Sequence, residues 1–161
     1  MKALYAGSFD PITNGHLDII QQAACLFSKV YIGVADNPDK KYVFTPIERV
    51  RLVESAIADI KGSFEVVPYY KMTVDKAHDL GTNILIRGLR AVSDFDAEFQ
   101  MTQFNRRLGQ RCNTVFFMPD ETNFYLSSTA IRGIAKMGGD ISPYVPACVA
   151  EALTQQLIMG R

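Results

Sequence analysis

The chain has 161 residues, of which 48% are hydrophobic and 21% charged, a composition typical of one globular domain. Lysine plus arginine and aspartate plus glutamate each total 17, so the formal net charge is zero, which argues against a nonspecific nucleic-acid binder. No apolar run approaches the ~20 residues of a membrane helix, and the three cysteines lack zinc or disulfide spacing. We therefore expect a single cytoplasmic domain over residues 1–161, with buried free thiols and neither membrane nor nucleic-acid partners.

Short apolar runs alternate with helical patterns along the chain. They predict five strands, at residues 3–6, 30–35, 64–68, 83–86 and 115–118. The intervening and following patterns predict six helices, at residues 16–27, 46–58, 74–80, 94–108, 128–136 and 146–159. Strands that are apolar throughout are buried on both faces. The pattern therefore predicts a doubly wound (Rossmann-like) α/β fold, a parallel five-stranded sheet with helices on both faces.

Ligands bind such folds at the carboxyl ends of the strands, and the motif GSFDPITNGH at residues 7–16 follows the first strand. Gly7 allows close approach of the backbone to a ligand, and Ser8 offers a hydroxyl and a backbone N–H. His16 falls in the first helical turn, where free N–H groups and the helix dipole favour phosphate. An imidazole there can donate to a phosphate oxygen as charge develops. An ordinary turn with an exposed histidine is the alternative.

A second motif, DNPDKK at residues 36–41, follows the second predicted strand. Lys40 can reach the same crevice as a point charge for phosphate. Taken alone, the motif is more typical of a polar turn with solvated lysines than of a phosphate site.

A third motif, RGLR at residues 87–90, follows the fourth strand. Arginine keeps its charge and binds phosphate through a planar fork, and Gly88 brings the backbone close. Surface arginines in salt bridges are the alternative, and Glu98, in the helix that follows, can equally be a surface carboxylate.

A fourth motif, YLSST at residues 125–129, opens the helix after the fifth strand. Consecutive hydroxyls at a helix N-terminus can cap the helix and can also bind phosphate.

Together the motifs resemble those of the nucleotidylyltransferase superfamily, whose HxGH signature appears as TxGH in the phosphopantetheine adenylyltransferase family and as TNGH here. The resemblance covers essentially the whole chain. It implies transfer of the adenylyl group of ATP to 4′-phosphopantetheine, giving dephospho-coenzyme A and pyrophosphate in coenzyme A biosynthesis. It also implies Mg²⁺ bound with ATP rather than by dedicated protein ligands, a homohexamer, and feedback by coenzyme A.

The same resemblance assigns roles to individual residues. It implies catalytic roles for His16, Lys40 and Arg87. It implies that the acceptor is bound by Ser8, Lys40, Thr73 and Arg87. The residues that it implies for ATP binding are Ser8, Phe9, His16, Gly88, Leu89, Arg90, Glu98, Asn123, Phe124, Tyr125, Leu126, Ser127, Ser128 and Thr129.

Two positions depart from the family pattern. Gly133 replaces a glutamate of the family's acceptor pocket, and Thr73 replaces a residue that is often apolar. Two alternative functions remain at this point: adenylyl transfer to nicotinamide mononucleotide or a small phosphoalcohol, and non-catalytic nucleotide binding by a regulator. RGLR and the Lys40 motif argue against the first, and the intact TNGH argues against the second.

Overall fold

The computed structural model, which describes residues 1–108 and 112–159, is built on one parallel sheet. Its strands are β1 (Lys2–Gly7), β2 (Lys29–Ala35), β3 (Phe64–Tyr69), β4 (Ile84–Gly88) and β5 (Asn113–Phe117). They lie in the order β3-β2-β1-β4-β5, with parallel pairing throughout. The chain winds outward from β1 to β3 and then returns to the other side of β1, so the topological switch point lies between β1 and β4. The predicted doubly wound fold is confirmed.

Within the described residues, six α-helices and one short 3₁₀ turn complete the architecture. The helices are α1 (Asn14–Leu26), α2 (Pro46–Ile57), α3 (Thr73–Asp79), α4 (Val92–Leu108), α5 (Ser128–Lys136) and α6 (Ala147–Met159). All six were predicted, whereas the 3₁₀ turn at Glu121–Asn123 was not. The predicted boundaries need one correction that concerns the site: Arg87 and Gly88 are the last two residues of β4, not part of the loop after it.

The start of α2 follows from its capping box. The Thr45 hydroxyl accepts a hydrogen bond from the Glu48 backbone N–H over 3.3 Å, and the Glu48 carboxylate accepts from the Thr45 N–H over 2.7 Å. Pro46 lies in the first turn, where its missing N–H costs nothing. The helix therefore begins where the sequence predicts.

The sheet separates two apolar clusters, as the alternation of side chains along β1 requires. Ala3 and Tyr5 belong to the larger cluster, which includes buried residues of α1, α2, α5 and α6. Leu4 and Ala6 belong to the smaller cluster, which includes Val74 of α3. Helices thus cover both faces of the sheet, as predicted.

Burial differs from the prediction in two places. The edge strand β3 is only partly buried, with Glu65 and Pro68 exposed, because no strand of the described ranges pairs with its outer edge. All three cysteines are free, but Cys25 is exposed on α1 rather than buried. In the two described ranges, the helices lack the length and apolar character needed to cross a membrane.

Candidate active site

A cleft of about 1180 Å³ opens at the carboxyl ends of the strands, beside the switch point between β1 and β4. It brings together predicted site residues from all four motifs and from α3 and α4. These residues are Ser8, Phe9, His16, Lys40, Thr73, Arg87, Gly88, Arg90, Glu98, Leu126, Ser127, Ser128 and Thr129.

Four other predicted residues lie outside the lining of this cleft. They are Leu89, Asn123, Phe124 and Tyr125. The Leu89 N–H donates to the Phe117 carbonyl over 2.9 Å, which continues the pairing of β4 with β5. The Tyr125 side chain is 89% exposed. Leu89 therefore contacts β5, and Tyr125 faces solvent.

The loop after β1 has a strained conformation at Phe9. Its φ is 47°, in the left-handed region that costs a non-glycine residue roughly 1–2 kcal/mol. The Phe9 ring is buried and packs edge-on against the rings of Tyr5 and His16, with centroid distances of 5.4 and 5.1 Å. A Cβ on Gly7 would lie 3.0 Å from this ring. Gly7 therefore leaves room for the Phe9 ring, which packs against the imidazole of His16.

His16 is the third residue of α1, and its ring is held by Thr13. The Thr13 backbone N–H donates to Nδ1 of His16 over 3.0 Å, and the Thr13 hydroxyl lies at the same distance from Nδ1. Because a backbone N–H can only donate, Nδ1 carries no proton and the neutral ring is protonated at Nε2. Burial, with help from the charges of Arg90 and Arg87, lowers the His16 pKa from 6.5 to about 4. At neutral pH the ring is an uncharged Nε2–H donor.

Arg87 is held by two partners from different elements. Glu98 of α4 accepts hydrogen bonds from Nε over 2.9 Å and from Nη2, and the Ala6 carbonyl accepts from Nη1 over 2.9 Å. A guanidinium has five N–H donors, so one on each Nη atom remains for a ligand. The charge of Arg87 is thereby fixed in place at the end of β4.

Arg90 joins the loop after β4 to the segment before α5. Its Nη1 donates to the Leu126 carbonyl over 3.0 Å, and its Nε donates to Asp94 over 3.2 Å. The third and fourth motifs are therefore tied together on one side of the cleft.

The hydroxyls at the start of α5 already have partners. Ser127 caps the helix by accepting from the Ala130 N–H over 3.1 Å, and Ser128 donates to the Pro11 carbonyl over 2.8 Å. Thr129 accepts from Arg132 over 3.2 Å. Capping and phosphate binding were both open from the sequence, and the structure shows that Ser127 caps α5. The backbone N–H groups of the first turn still point out of the helix end, where an anion is favoured.

Lys40 and Thr73 lie on the opposite side of the cleft from the start of α5 along the sheet, after β2 and β3. Lys40 is exposed on a turn closed by its N–H and the Asn37 carbonyl, 3.0 Å apart. Thr73 is the first residue of α3, and its hydroxyl lies 2.9 Å from the hydroxyl of Tyr69. The polar residue at position 73 therefore has a hydrogen-bond partner within the chain.

Several residues of the site were missed by the sequence interpretation. Asp10, in the first motif, is buried and accepts from the backbone N–H groups of Val43 and Phe44, each over 3.0 Å. Arg132 donates to the Asp10 carbonyl from α5. Arg49 is buried on α2, at helical spacing with Val53 and Ile57. The sequence did contain a signal for Arg49, because it lies on the same helical face as two apolar residues that are expected to be buried.

Positive charge is concentrated in the cleft although the chain is neutral. The lining has six cationic side chains, those of Lys40, Lys41, Lys71, Arg87, Arg90 and Arg132, against four carboxylates. Three of these carboxylates, Asp10, Asp36 and Glu98, are paired with arginines. Among the residues that the structure describes, no three His, Cys, Asp or Glu side chains converge on a metal-sized site. The cleft is suited to a ligand that carries several phosphates.

Comparison with known proteins agrees with this geometry. The cytidylyltransferase-like family matches residues 4–134. A protein of Methylacidiphilum infernorum named phosphopantetheine adenylyltransferase is 46% identical over 157 residues, which cover 97% of this chain and 91% of that protein. A crystal structure from Vibrio parahaemolyticus, described as a candidate nicotinate-nucleotide adenylyltransferase, shares the fold with a TM-score of 0.71. It is 21% identical, over 97% of this chain and 93% of that one. The chain therefore belongs to the cytidylyltransferase-like family and, within it, to the phosphopantetheine adenylyltransferases.

Proposed function

We propose that this enzyme transfers the adenylyl group of ATP to 4′-phosphopantetheine, releasing dephospho-coenzyme A and pyrophosphate. The observation that carries the assignment is the neutral Nε2–H donor of His16, held at the start of α1 beside Arg87 and Arg90. Membership of the phosphopantetheine adenylyltransferase family supplies the identity of the acceptor.

The reaction needs no nucleophile from the protein, because the phosphate of the acceptor is one. An oxygen of that phosphate bonds to the α-phosphorus of ATP, and the bond from the α-phosphorus to the bridging oxygen of the leaving pyrophosphate breaks. Negative charge grows on the α-phosphate oxygens and on the leaving group. Catalysis is then positioning together with stabilisation of this charge. His16 donates its Nε2–H to the α-phosphate as the charge develops.

The ATP side of the site is formed by the first, third and fourth motifs. Arg90 and the N-terminal turn of α5, with Ser127, Ser128 and Thr129, hold the β- and γ-phosphates. The backbone at Ser8, Phe9, Gly88 and Leu89 and the segment at residues 123–126 surround the rest of the nucleotide. Glu98, which the resemblance assigns to the nucleotide site, acts here by orienting Arg87, which belongs to the acceptor side.

The acceptor side is formed by residues after β1, β2, β3 and β4. Lys40 and Arg87 neutralise the attacking phosphate, and Ser8 orients it. Thr73 faces the pantetheine arm, whose amides can hydrogen-bond with the paired hydroxyls of Thr73 and Tyr69.

Mg²⁺ belongs to the substrate in this proposal, since it arrives as the counter-ion of ATP and is bound mainly by phosphate oxygens. The reaction takes place in the cytoplasm, in coenzyme A biosynthesis. Coenzyme A shares the pantetheine arm with the acceptor, so it competes for the same cleft as a feedback inhibitor.

Self-association into a homohexamer is part of the proposal. It is supported by the apolar side chains that α4 leaves at least half exposed, which are Phe95, Phe99, Met101, Phe104 and Leu108. Contiguous exposed apolar surface is typical of protein–protein contacts. Light scattering coupled to gel filtration measures the mass of the assembly, and a monomer would contradict this part.

An assay of pyrophosphate release from ATP tests the assignment. Release is expected with 4′-phosphopantetheine, and nicotinamide mononucleotide is expected to be a very poor acceptor. Comparable kcat/KM for the two acceptors would place the chain in another branch of the family. ATP binding without release with either acceptor would identify a regulator instead.

A further inference from the structure

A fully buried arginine, Arg49, joins the segments that carry the first two motifs. Its side chain is 0% exposed, although arginine is almost never buried without partners. Its donors reach three backbone carbonyls: Ser8 over 2.8 Å, Ala35 over 2.7 Å and Phe44 over 3.2 Å. These carbonyls belong to the loop after β1, the end of β2 and the entry to α2.

The charge of Arg49 is balanced and its plane is covered. Nη2 donates to the Asp36 carboxylate over 2.6 Å, and the Tyr42 ring stacks on the guanidinium with its centroid 3.9 Å from Cζ. The Tyr42 hydroxyl in turn accepts from the Asn37 N–H over 2.9 Å. We call this set, Arg49 with Ser8, Ala35, Asp36, Tyr42 and Phe44, the Arg49 clamp.

The clamp fixes both ends of the turn on which Lys40 lies. Ala35 and Asp36 precede that turn, and Phe44 follows it. Asp10 reinforces the second end, because its carboxylate accepts from the N–H groups of Val43 and Phe44. Asp10 itself lies two residues after Ser8, so the Lys40 turn is fastened to the first motif at each end.

We propose that Arg49 is a positioning residue that sets the separation between Lys40 and Ser8 on the acceptor side of the cleft. The inference rests on the proposed function, since it concerns the binding of the phosphate of the acceptor. A lysine cannot replace Arg49, because a single ammonium lacks the planar fork that reaches three carbonyls and a carboxylate together. Arg49 touches neither substrate and acts through the two loops.

The kinetic signature of this role is selective. Without the clamp, the Lys40 turn loses its place while Arg90 and α5 keep theirs. Arg49→Lys is therefore expected to raise KM for 4′-phosphopantetheine about ten-fold or more and to leave KM for ATP within about three-fold. The matched control is Arg51→Lys, the same substitution at an exposed position of the same helix, for which both constants should stay at wild-type values.

Hydrogen exchange gives a readout that does not depend on activity. In Arg49→Lys, exchange should accelerate about ten-fold or more in residues 36–44 and remain at the wild-type rate in β1. A merely structural role would instead accelerate exchange in the core strands as well. If Arg49→Lys does not fold, Asp36→Asn, which removes the charge from one end of the clamp, replaces it as the test variant. In Asp36→Asn the acceptor KM and the exchange rate in residues 36–44 should each rise a few-fold, while KM for ATP and exchange in β1 stay at wild-type values.

The outcomes separate the inference from the proposed function. A wild-type protein that releases no pyrophosphate would refute the proposed function, while hydrogen exchange would still decide whether Arg49 fixes the Lys40 turn. An active wild type with unchanged acceptor KM and unchanged exchange in a folded Arg49→Lys, or in Asp36→Asn, would overturn the positioning role. Equal increases in KM for ATP and for the acceptor would also overturn it.

Discussion

Glu98 holds Arg87 through both oxygens of its carboxylate. Oε2 accepts a hydrogen bond from Nε over 2.9 Å, and Oε1 accepts one from Nη2. The pair joins α4 to the carboxyl end of β4, and it leaves one N–H on each Nη atom of the guanidinium for a ligand. Glu98 therefore orients the arginine rather than blocking it.

The first prediction is that Glu98→Gln weakens binding of the acceptor. The amide keeps one acceptor oxygen but turns a donor toward the guanidinium, so Arg87 loses its fixed orientation. A charge-assisted hydrogen bond at a partly exposed site is worth about 1.5 kcal/mol, so KM for 4′-phosphopantetheine should rise about ten-fold. Steady-state kinetics with each substrate varied in turn provide the measurement.

The matched control for Glu98 is Asp94→Asn on the same helix. Asp94 pairs with Arg90, which we place on the ATP side. Its loss should leave the KM of the acceptor unchanged. A fall in the acceptor KM of Glu98→Gln would show that the carboxylate competes with the substrate phosphate.

The second prediction concerns pH. Because the folded-state pKa of His16 is about 4 and the unfolded value is about 6.5, the unfolded chain binds a proton that the folded chain refuses between these values. The contribution of the neutral, buried His16 to the free energy of unfolding is fully present above pH 6.5 and is lost as pH falls through 4. Wild-type stability should therefore fall between pH 6.5 and 4 more steeply than that of His16→Gln, as thermal unfolding at a series of pH values would show.

Nitrogen NMR of the imidazoles tests the same point directly. The His16 signal should be that of the Nε2–H tautomer and should not titrate between pH 8 and 5.5. His78→Gln removes the only other histidine and so assigns the signal. Titration of His16 near pH 6.5 would contradict the buried, hydrogen-bonded Nδ1.

The third prediction concerns Gly133, which lies in the middle of α5. A Cβ at this position would meet nothing within 4 Å, so a larger residue is accommodated. Gly133→Ala should stabilise the fold by about 0.5–1 kcal/mol, because glycine is a poor helix former. Gly133→Glu should add a several-fold change in KM for the acceptor alone.

Comparison of the two Gly133 variants separates the effect of helix propensity on stability from the effect of the carboxylate on acceptor binding. Denaturant unfolding gives the stability of each, and kinetics give the KM values. A large change in ATP affinity in Gly133→Glu would show that the segment is aligned wrongly with the family.

The sequence predicted the framework because the framework depends on local patterns. Apolar runs gave every strand, and Thr45 with Pro46 and Glu48 gave the start of α2. Arg49 was missed because its backbone partners lie in three different segments, two of which are 14 and 41 residues away along the chain. The tautomer of His16 likewise depends on a backbone N–H, and no residue type signals that contact.

The reason for a glycine at position 7 could also be found only from the structure. Its position after a strand predicted close approach of a ligand, whereas the nearest atoms to an added Cβ are those of the Phe9 ring. The pairing of Arg87 with Glu98, eleven residues away in a different element, was similarly outside what spacing predicts.

Steady-state kinetics of His16→Ala test the central claim most directly. If Nε2–H meets the α-phosphate mainly in the transition state, its loss should cost ~3–4 kcal/mol, or roughly 10²–10³ in kcat, and change KM for ATP far less. Arg87→Ala should differ by also raising KM for the acceptor, whose charge exists in the ground state. His16→Gln, which offers an amide donor near the place of Nε2, should recover part of the lost kcat. A folded His16→Ala that keeps more than about a tenth of wild-type kcat would contradict the account, given the size expected for a transition-state donor.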